Sequence, residues 1–230
     1  MKIKQEIKVT VDAVVFGYNR DGGVSVLLIK RKIEPFIHQW ALPGGFVKTL
    51  ESLEDAVYRE LQEETGVKIN YLEQLYTFGD PIRDPRARVI SVVYFGLVKP
   101  ENFQLTASTD AEDVSWFNIK KLPKLAFDHK KILQTAMDRL RGKMTYEPIG
   151  FELLPNKFPF SDLEQLYMII LDREIDRRNF KKKIMSLGIV DELNEKAPMN
   201  SPGRPGNLYR FNKEKYFQLK KQGISFELNS

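Results

Sequence analysis

Three carboxylates in the first half of the chain have a spacing that could hold a metal ion. Glu63 and Glu64 follow Glu60 by three and four residues, so a helical segment would present them side by side. Carboxylates that are partly buried together repel one another and need a cation. Magnesium, which binds through carboxylates and substrate phosphates, would meet that need. Arg59 offers the alternative, a buried ion-pair network without metal, and the helix pattern alone leaves both open.

The helix that would carry these acids is predicted between Ser52 and Gly66. Ser52 is a good N-cap with Asp55 three residues later, and Gly66 supplies a C-terminal stop. The apolar positions form an inward stripe of Leu53, Ala56, Val57 and Leu61. Glu60 and Glu64 project into the same half of the helix and Glu63 lies on its flank, so all three carboxylates are predicted to face protein rather than solvent.

The stretch 45–67 resembles a Nudix box, the pattern G-x5-E-x7-R-E-U-x-E-E-x-G-U in which U is aliphatic. Its specified positions are filled by Gly45, Glu51, Arg59, Glu60, Leu61, Glu63, Glu64, Gly66 and Val67. The family that it resembles hydrolyses nucleoside diphosphates linked to another moiety, with Mg²⁺ or Mn²⁺ as cofactor. By that resemblance Arg59 belongs to the catalytic set and orients a glutamate, and Gly45 permits a tight loop at the ligand. The catalytic metal ligands that it implies are Glu60, Glu63 and Glu64.

The composition is typical of a globular protein rather than of a membrane or disulfide-rich one. The 230 residues are 42% hydrophobic and 29% charged, and there is no cysteine. No apolar run is long enough to span a membrane, and the N-terminus lacks the apolar core of a signal peptide. We therefore expect a cytoplasmic protein with no membrane partner and no disulfide. The formal net charge of +5 is compatible with an anionic partner.

Strand and helix patterns surround the box within residues 1–145, which we predict to be one domain. β-Branched, apolar runs predict strands at 9–16, 24–29, 71–78, 89–98 and 114–117. A turn at 19–22 predicts that the first two strands form a hairpin. A second helix is predicted from Asp128 to about Leu140. The pattern predicts an α/β fold, the Nudix α/β/α sandwich that the resemblance implies.

A basic loop at 83–88 is a candidate phosphate-binding segment. Arg83, Arg86 and Arg88 would suit a pyrophosphate, because the fork of a guanidinium matches phosphate oxygens. The alternative is a solvated loop that Asp84 cross-links, and the sequence does not decide between the two.

Four isolated residues have side chains that could take part in binding or catalysis. Trp40 could stack on a base, although core packing is the preferred interpretation. Glu112 is a candidate extra base or ligand. His38 and His129 lack a partner pattern, and a structural role is predicted for both.

Residues 146–230 are predicted to form a second domain, because proline and glycine mark a boundary near its start. Ser161 is predicted to cap a helix that ends near Leu171, and Asp176 to cap a second helix that Gly188 closes. A hairpin with a proline- and glycine-rich wing around 202–206 follows. This order is typical of a small winged helix-turn-helix domain.

The second of these helices is the candidate DNA-binding element. Phe180, Ile184 and Leu187 face inward, and the opposite side is basic. The predicted DNA-binding residues are Arg177, Arg178, Asn179, Lys181 and Lys182, with Arg204 in the wing and Arg210 in the returning strand. A solvated cationic face is the alternative interpretation of such a helix.

Over nearly its full length the chain resembles the Nudix-related transcriptional regulators, a family that includes a bacterial repressor of NAD biosynthesis genes. The motifs that carry the resemblance are RDPR at 83–86, AFDH at 126–129, EPIGFELLP at 147–155, RNF at 178–180 and GRP at 203–205. It implies a homodimer that binds a double-stranded DNA operator. The Nudix domain would then sense a small molecule, either a nucleotide such as ADP-ribose or a sugar.

The intact box keeps a second function open. Many members of the resembled family have a damaged box and no catalysis, whereas here every specified position is filled. The alternative is therefore a magnesium-dependent pyrophosphohydrolase of ADP-ribose or a similar compound, in which the C-terminal domain serves dimerisation.

Overall fold

The computed structural model describes residues 6–20, 22–69, 71–105, 111–198 and 206–223. The chain divides into two compact units, Met1–Arg139 and Leu140–Ser230. The predicted domain boundary after residue 145 stays a prediction. None of the described helices is long and apolar enough to cross a membrane.

The N-terminal unit is built on a mixed sheet of seven strands. The strands are β1 (Lys8–Asn19), β2 (Gly23–Arg31), β3 (Trp40–Ala41), β4 (Gly44–Phe46), β5 (Tyr71–Phe78), β6 (Val89–Val98) and β7 (Ala111–Asn118). The order is β3-β2-β1-β6-β5, with β4 paired to β1 and β7 paired to β2. β1 runs parallel to β6 and antiparallel to β2. The predicted hairpin is confirmed, because Asn19 pairs with Gly23 across its turn.

Helix α1 (Leu53–Thr65) carries the predicted cap and stop. The Ser52 hydroxyl accepts from the Asp55 N–H, and Gly66 takes the left-handed conformation at φ 72°. Its stripe of Ala56, Val57 and Leu61 packs in one core with alternate β1 residues such as Val11, Ala13 and Val15. The apolar stripe of this helix therefore packs directly against the central strand of the sheet.

Both faces of the sheet are covered, as the predicted sandwich requires. Val14 and Phe16, which alternate along β1 with the residues facing α1, are also fully buried. Helix α2 (His129–Tyr146) buries Ile132 and Ala136, and its Arg139 lies 3.6 Å from Glu73 of β5. The prediction that this helix ends near Leu140 was wrong. The polar segment that follows Leu140 is also helical, and the helix ends at Tyr146.

The C-terminal unit has a helix-turn-helix followed by a hairpin. Its elements are the short strand β8 (Phe158–Pro159), α3 (Phe160–Leu171), α4 (Arg177–Leu187), β9 (Val190–Lys196), β10 (Asn207–Phe211) and α5 (Lys213–Lys221). The sheet order is β8-β10-β9, with antiparallel pairing. This arrangement confirms the predicted winged helix-turn-helix.

Local details of this unit differ from the sequence prediction at two places. Ser161 does not cap α3, because the helix starts at Phe160 after Pro159, whose fixed backbone suits a helix start. Asp176 does cap α4, and Gly188 closes it at φ 64°. Helix α5, which buries no residue, was not predicted from the sequence.

Candidate functional site

A cavity of about 420 Å³ opens beside the acidic helix in the N-terminal unit. Its walls come from β1, β2, β4 and α1, together with the basic loop and the segment before α2. The residues that line the cavity include Thr10, Asp12, Arg31, Phe46, Arg59, Glu60, Glu64, Arg83, Asp84, Arg86, Phe127 and His129. The volume lies within the range of small-molecule binding sites.

Arg59 binds three carboxylates of the box at once. Its Nε donates to Glu51 Oε1 at 2.6 Å, and its Nη1 donates to Glu60 Oε1 at 2.7 Å and to Glu63 Oε2 at 3.1 Å. Its Nη2 also reaches the Phe46 carbonyl at 3.2 Å. The ion-pair network, which the sequence left as an alternative to a metal site, is therefore present.

The acidic residues of α1 differ strongly in exposure. Glu63 is more than half exposed and does not line the cavity, so the prediction that all three acids turn toward protein was wrong for this residue. Glu60 and Glu64 do line it. Burial raises the pKa of Glu60, and burial raises the pKa of Glu64 to about 8 although the Gly44 N–H donates to Glu64 at 2.8 Å.

The cavity contains carboxylate oxygens that could bind a hard cation, but these side chains are not arranged around a single position. Within the described ranges, no group of three or more histidine, cysteine, aspartate or glutamate side chains is arranged to hold a metal ion. Glu60 and Glu64 are nevertheless partly buried oxygen donors, and desolvation by burial raises the pKa of both. Glu60 Oε1 accepts from Arg59, so a cation bound by Glu60 would share this carboxylate with Arg59.

Gly45 lies where a side chain would collide with the acidic helix. A Cβ at this position would come within 2.4 Å of Glu60 Oε1. Gly45 therefore lets β4 approach α1 closely, which is the tight geometry that the resemblance implied for it.

Arg83 is a buried member of the site rather than a solvent-facing cation. Its guanidinium makes two hydrogen bonds to Asp128, of 3.0 and 2.8 Å, and lies 3.5 Å from Asp12. Ser91 donates a short hydrogen bond of 2.5 Å to the same Asp12 oxygen. Arg83 thus ties the basic loop to the central strand and to the start of α2.

The other two loop arginines have different surroundings. Arg86 lines the cavity, and Asp84 binds its guanidinium through two hydrogen bonds of 3.0 and 2.8 Å. Arg88 does not line the cavity; its Nη1 donates to the Gly79 carbonyl at 2.8 Å. The structure therefore brings Arg83 and Arg86 together and leaves Arg88 outside.

His129 is a neutral structural residue at the floor of the cavity. Its Nδ1 accepts from the Leu42 N–H at 2.9 Å, so that nitrogen carries no proton. Its Nε2 lies 3.7 Å from Asp12, and complete burial lowers the pKa of His129. The predicted structural role agrees with these contacts.

The remaining isolated residues lie away from the cavity. Trp40 packs edge-on against Phe117 at 4.5 Å between ring centres, and it does not line the cavity. Glu112 pairs with Lys30 at 3.1 Å and with His38 at 2.7 Å. These contacts explain Glu112 and His38 as a surface ion-pair group.

The cavity residues that the sequence did not indicate include Arg31, Phe46 and Phe127. Phe46 occupies an unspecified position of the box, directly after Gly45. Phe127 belongs to the AFDH motif, and its positive φ of 51° is not visible in the sequence. Arg31 is the last residue of an apolar strand. A charged residue directly after a buried run is the sequence signal that could have indicated its role.

In the C-terminal unit, α4 presents the predicted basic face. Arg177 and Arg178 are exposed, as is Lys182. Lys181 instead lies over two rings, with Nζ 5.1 Å from the centre of Phe160 and 5.4 Å from that of Tyr209.

Two further predicted DNA-binding side chains are engaged within the unit. The Asn179 amide donates to Asp176 at 2.7 Å, and Arg210 donates to Asp191 at 3.3 Å. Arg204 lies outside the described residues. All described residues of this set are nevertheless exposed, so each remains accessible to an external partner.

Comparison with known protein families matches both units. Residues 8–136 match the NUDIX domain, and residues 150–211 match the NrtR DNA-binding winged helix domain. Two curated relatives are similar in sequence. The "ADPR responsive transcriptional repressor NtrR" of Acinetobacter baylyi is 34% identical over 90% of this chain and 83% of its own length. The "ADP-ribose pyrophosphatase" of Methanocaldococcus jannaschii is 43% identical over 56% of this chain and 72% of its own.

Among solved structures, NrtR of Shewanella oneidensis complexed with a 27mer DNA is similar over both units. The TM-score is 0.79 with 33% sequence identity, and the match covers 91% of this chain and 95% of that one.

Proposed function

This chain belongs to the Nudix family and, within it, to the NrtR-type transcriptional regulators, and from that premise we propose that it is a DNA-binding regulator controlled by ADP-ribose. The winged helix-turn-helix would bind operator DNA, and the cavity of the Nudix domain would bind the effector. Such a regulator acts on chromosomal DNA in the cytoplasm.

The cavity supports a nucleoside diphosphate ligand because it combines acidic and basic side chains around one opening. Glu60 and Glu64 can share a divalent cation, either Mg²⁺ or Mn²⁺, with the phosphates of a ligand. Arg31 and Arg86 line the same opening and have guanidinium groups that suit phosphate oxygens. The presence of these acidic and basic side chains around one opening is the observation that supports a nucleoside diphosphate ligand. ADP-ribose is chosen within that class because the names of both curated relatives refer to it.

The basic face of α4 supports operator binding. Arg177 and Arg178 stand exposed at the start of the second helix of a helix-turn-helix, the end that enters the major groove in this motif. We infer a homodimer that reads an inverted repeat, because a two-fold axis places two such helices on one side of the duplex.

Two measurements on the full-length protein test this function. Calorimetric titration with ADP-ribose in the presence of Mg²⁺ should give saturable binding, and operator binding should change when that site is filled. Arg86→Ala should weaken ADP-ribose binding, whereas Arg88→Ala, outside the cavity, serves as the matched control. An absence of ADP-ribose binding by the wild type would exclude this ligand.

Hydrolysis is a second candidate function, favoured by the complete acidic set of the box. The 43% identity with an ADP-ribose pyrophosphatase supports the same candidate. A bound divalent cation would stabilise charge on the diphosphate and activate water, and Arg59 would position Glu60 and Glu63. In this candidate the C-terminal domain serves dimerisation.

The hydrolase candidate is tested by turnover of ADP-ribose and similar dinucleotides with Mg²⁺ and with Mn²⁺. Glu64→Gln should remove turnover while the fold, followed by circular dichroism, is unchanged. No turnover of any compound by the wild type would leave the cavity as a sensor only.

A further inference from the structure

The side chain of Lys181 lies against aromatic rings of its own unit, although it belongs to the basic face of α4. Its Nζ is 5.1 Å from the centre of the Phe160 ring and 5.4 Å from that of the Tyr209 ring. Both distances are within the range of about 6 Å over which the face of a ring attracts a cation. Lys181 is nevertheless exposed, so its ammonium group also keeps contact with water. A role inside the unit and a contact with a DNA phosphate are therefore both open to this residue.

The two rings belong to different elements of the C-terminal unit. Phe160 is the first residue of α3, and Tyr209 lies in β10, the strand that returns from the wing. Both residues are buried, and their rings meet edge to face with 5.3 Å between centres. Through these rings, Lys181 of α4 contacts the preceding helix and the wing strand at the same time.

Tyr209 is a fixed point of the wing hairpin, which is formed by β9 and β10. It pairs with Phe158 of β8 on one side and with Glu192 of β9 on the other. The next residue, Arg210, has its side chain on the opposite face of the strand and is exposed. Arg210 is among the residues predicted to bind DNA. The contact between Lys181 and Tyr209 therefore joins α4 to a strand that carries a second candidate DNA contact.

Phe180 and Lys181 hold α4 from two directions. Phe180 is buried, and its ring centre lies 4.9 Å from that of Tyr167 and 6.1 Å from that of Phe160. Successive residues of an α-helix point about 100° apart around its axis. The Phe180 contacts fix how closely α4 packs on the unit, and the Lys181 contacts oppose rotation of the helix about its own axis.

Electrostatic attraction favours the same position for the ammonium group. Burial raises the pKa of the Glu164 carboxyl in α3, whereas Arg177 and Lys181 of α4 act in the opposite direction. Glu164 and the faces of the two rings therefore attract Lys181 toward the unit. A neutral side chain of similar length at this position would lose these attractions and keep the apolar contacts with the rings.

We propose that Lys181 is a positioning residue for operator binding, which holds α4 and the wing hairpin at the angle that lets both contact one duplex. The inference rests on the proposed operator binding and assigns Lys181 a role other than neutralising a phosphate. Two contact elements bind one partner tightly only when their relative orientation is set beforehand, because orienting them during binding costs entropy. Loss of the Lys181 contacts should therefore weaken binding without removing a contact to DNA.

The dependence of operator affinity on salt concentration separates positioning from phosphate binding. The probe is the duplex that the full-length wild type enriches from a pool of random DNA sequences. Lys181→Met keeps the apolar part of the side chain and removes its charge, and Lys182→Met, at the exposed neighbouring position, is the matched control. We expect Lys181→Met to reduce affinity by roughly fivefold at every salt concentration, with an unchanged slope of log affinity against log salt concentration. Lys182→Met should lower that slope by about 1, as the loss of one phosphate contact does.

A double variant tests whether Lys181 acts through the wing strand. Tyr209 is buried, so a loss of affinity in Tyr209→Leu reflects the unit and not a contact to DNA. The losses in Lys181→Met and Tyr209→Leu should not add up in the double variant, because both changes remove one shared contact. Lys181→Arg keeps a cation that stacks on rings and should keep the affinity of the wild type.

Titration at protein concentrations far above the dissociation constant gives the active fraction of each variant, so that a loss of folding is not counted as a loss of affinity. A slope that falls by about 1 in Lys181→Met would overturn the positioning role, since Lys181 would then bind a phosphate. Wild-type affinity in Lys181→Met, or fully additive losses in the double variant, would also overturn it. A wild type that enriches no sequence would instead refute operator binding itself, and this role with it.

Discussion

Arg83 and Asp128 form a bidentate ion pair, in which Arg83 Nε donates to Asp128 Oδ2 at 3.0 Å and Arg83 Nη2 donates to Asp128 Oδ1 at 2.8 Å. The pair joins the basic loop to the residue that precedes α2. Asp12 lies 3.5 Å from the same guanidinium, so one buried arginine serves two carboxylates. Arg83 therefore acts as a positioning residue of the cavity, while Arg86 and Arg31 have the more accessible guanidinium groups.

Arg83→Ala is expected to destabilise the protein because it leaves Asp12 buried with a poorer set of partners. Breaking a buried ion pair on one side costs about 3–5 kcal/mol of unfolding free energy. Urea denaturation should show a loss of that order, whereas Arg88→Ala should change stability by less than about 1 kcal/mol. Equal stability of the two variants would contradict the positioning role.

Metal affinity is expected to increase with pH because Glu64 must lose its proton to bind a cation. Burial raises the pKa of Glu64 to about 8. Mg²⁺ affinity should rise between about pH 6 and about pH 8, and each ion bound near neutral pH should displace close to one proton.

In the absence of metal, the raised pKa favours the protonated carboxyl. The protonated Glu64 carboxyl therefore contributes to the free energy of unfolding. This contribution is complete below the ordinary glutamate pKa of about 4.3 and is lost as pH rises through about 8.

Titrations in two buffers with different ionisation enthalpies measure this proton release directly. Glu64→Gln should abolish both the release and its pH dependence. An affinity that is constant across this pH range in the wild type would exclude Glu64 as a ligand that titrates on binding.

Arg178 and Lys182 of α4 are expected to contribute differently to DNA binding. Arg178→Ala should cost roughly 1–3 kcal/mol at the operator and relax the preference at one base position, if it meets a base edge. Lys182→Ala should weaken binding to all DNA sequences by a similar factor. It should also lower the slope of log affinity against log salt concentration by about 1. Binding of both variants at several salt concentrations distinguishes the roles, and identical profiles would contradict the assignment.

The cap of α4 is expected to stabilise the C-terminal unit. Asp176 accepts from the Asn179 backbone N–H at 3.0 Å and from its side-chain amide at 2.7 Å. Asp176→Ala should lower the unfolding free energy by about 1 kcal/mol. Thermal unfolding measures the loss, and Asp176→Ser, which keeps an oxygen acceptor, should recover much of it. An unchanged melting temperature in the alanine variant would show that the helix start is held by other contacts.

The features predicted correctly from sequence are those that neighbouring residues determine. Ser52 and Gly66 bound α1 through local backbone chemistry, and the box specifies which acids the helix carries. The partners of Arg59 were only partly predictable. Glu63 is one helical turn away, whereas Glu51 is brought back by a loop that sequence spacing does not describe.

Long-range contacts account for most of what the sequence could not predict. Asp12, Arg83 and Asp128 come from three distant segments, and only the folded sheet brings them together. The exposure of Glu63 depends on where α1 docks on the sheet. The ring position of Phe127 depends on its left-handed backbone, for which no residue-type preference gives a signal.

We propose that ADP-ribose in the Nudix cavity controls operator binding. An effector can do this only if it binds the DNA-competent and DNA-incompetent forms with different affinities. The most direct measurement is operator affinity of the full-length wild type with and without saturating ADP-ribose and Mg²⁺, with saturation confirmed by calorimetry. We expect this control to change operator affinity by roughly fivefold or more, and Arg86→Ala should shift the change to higher ADP-ribose concentrations. An operator affinity that is the same with the cavity empty and filled would contradict it.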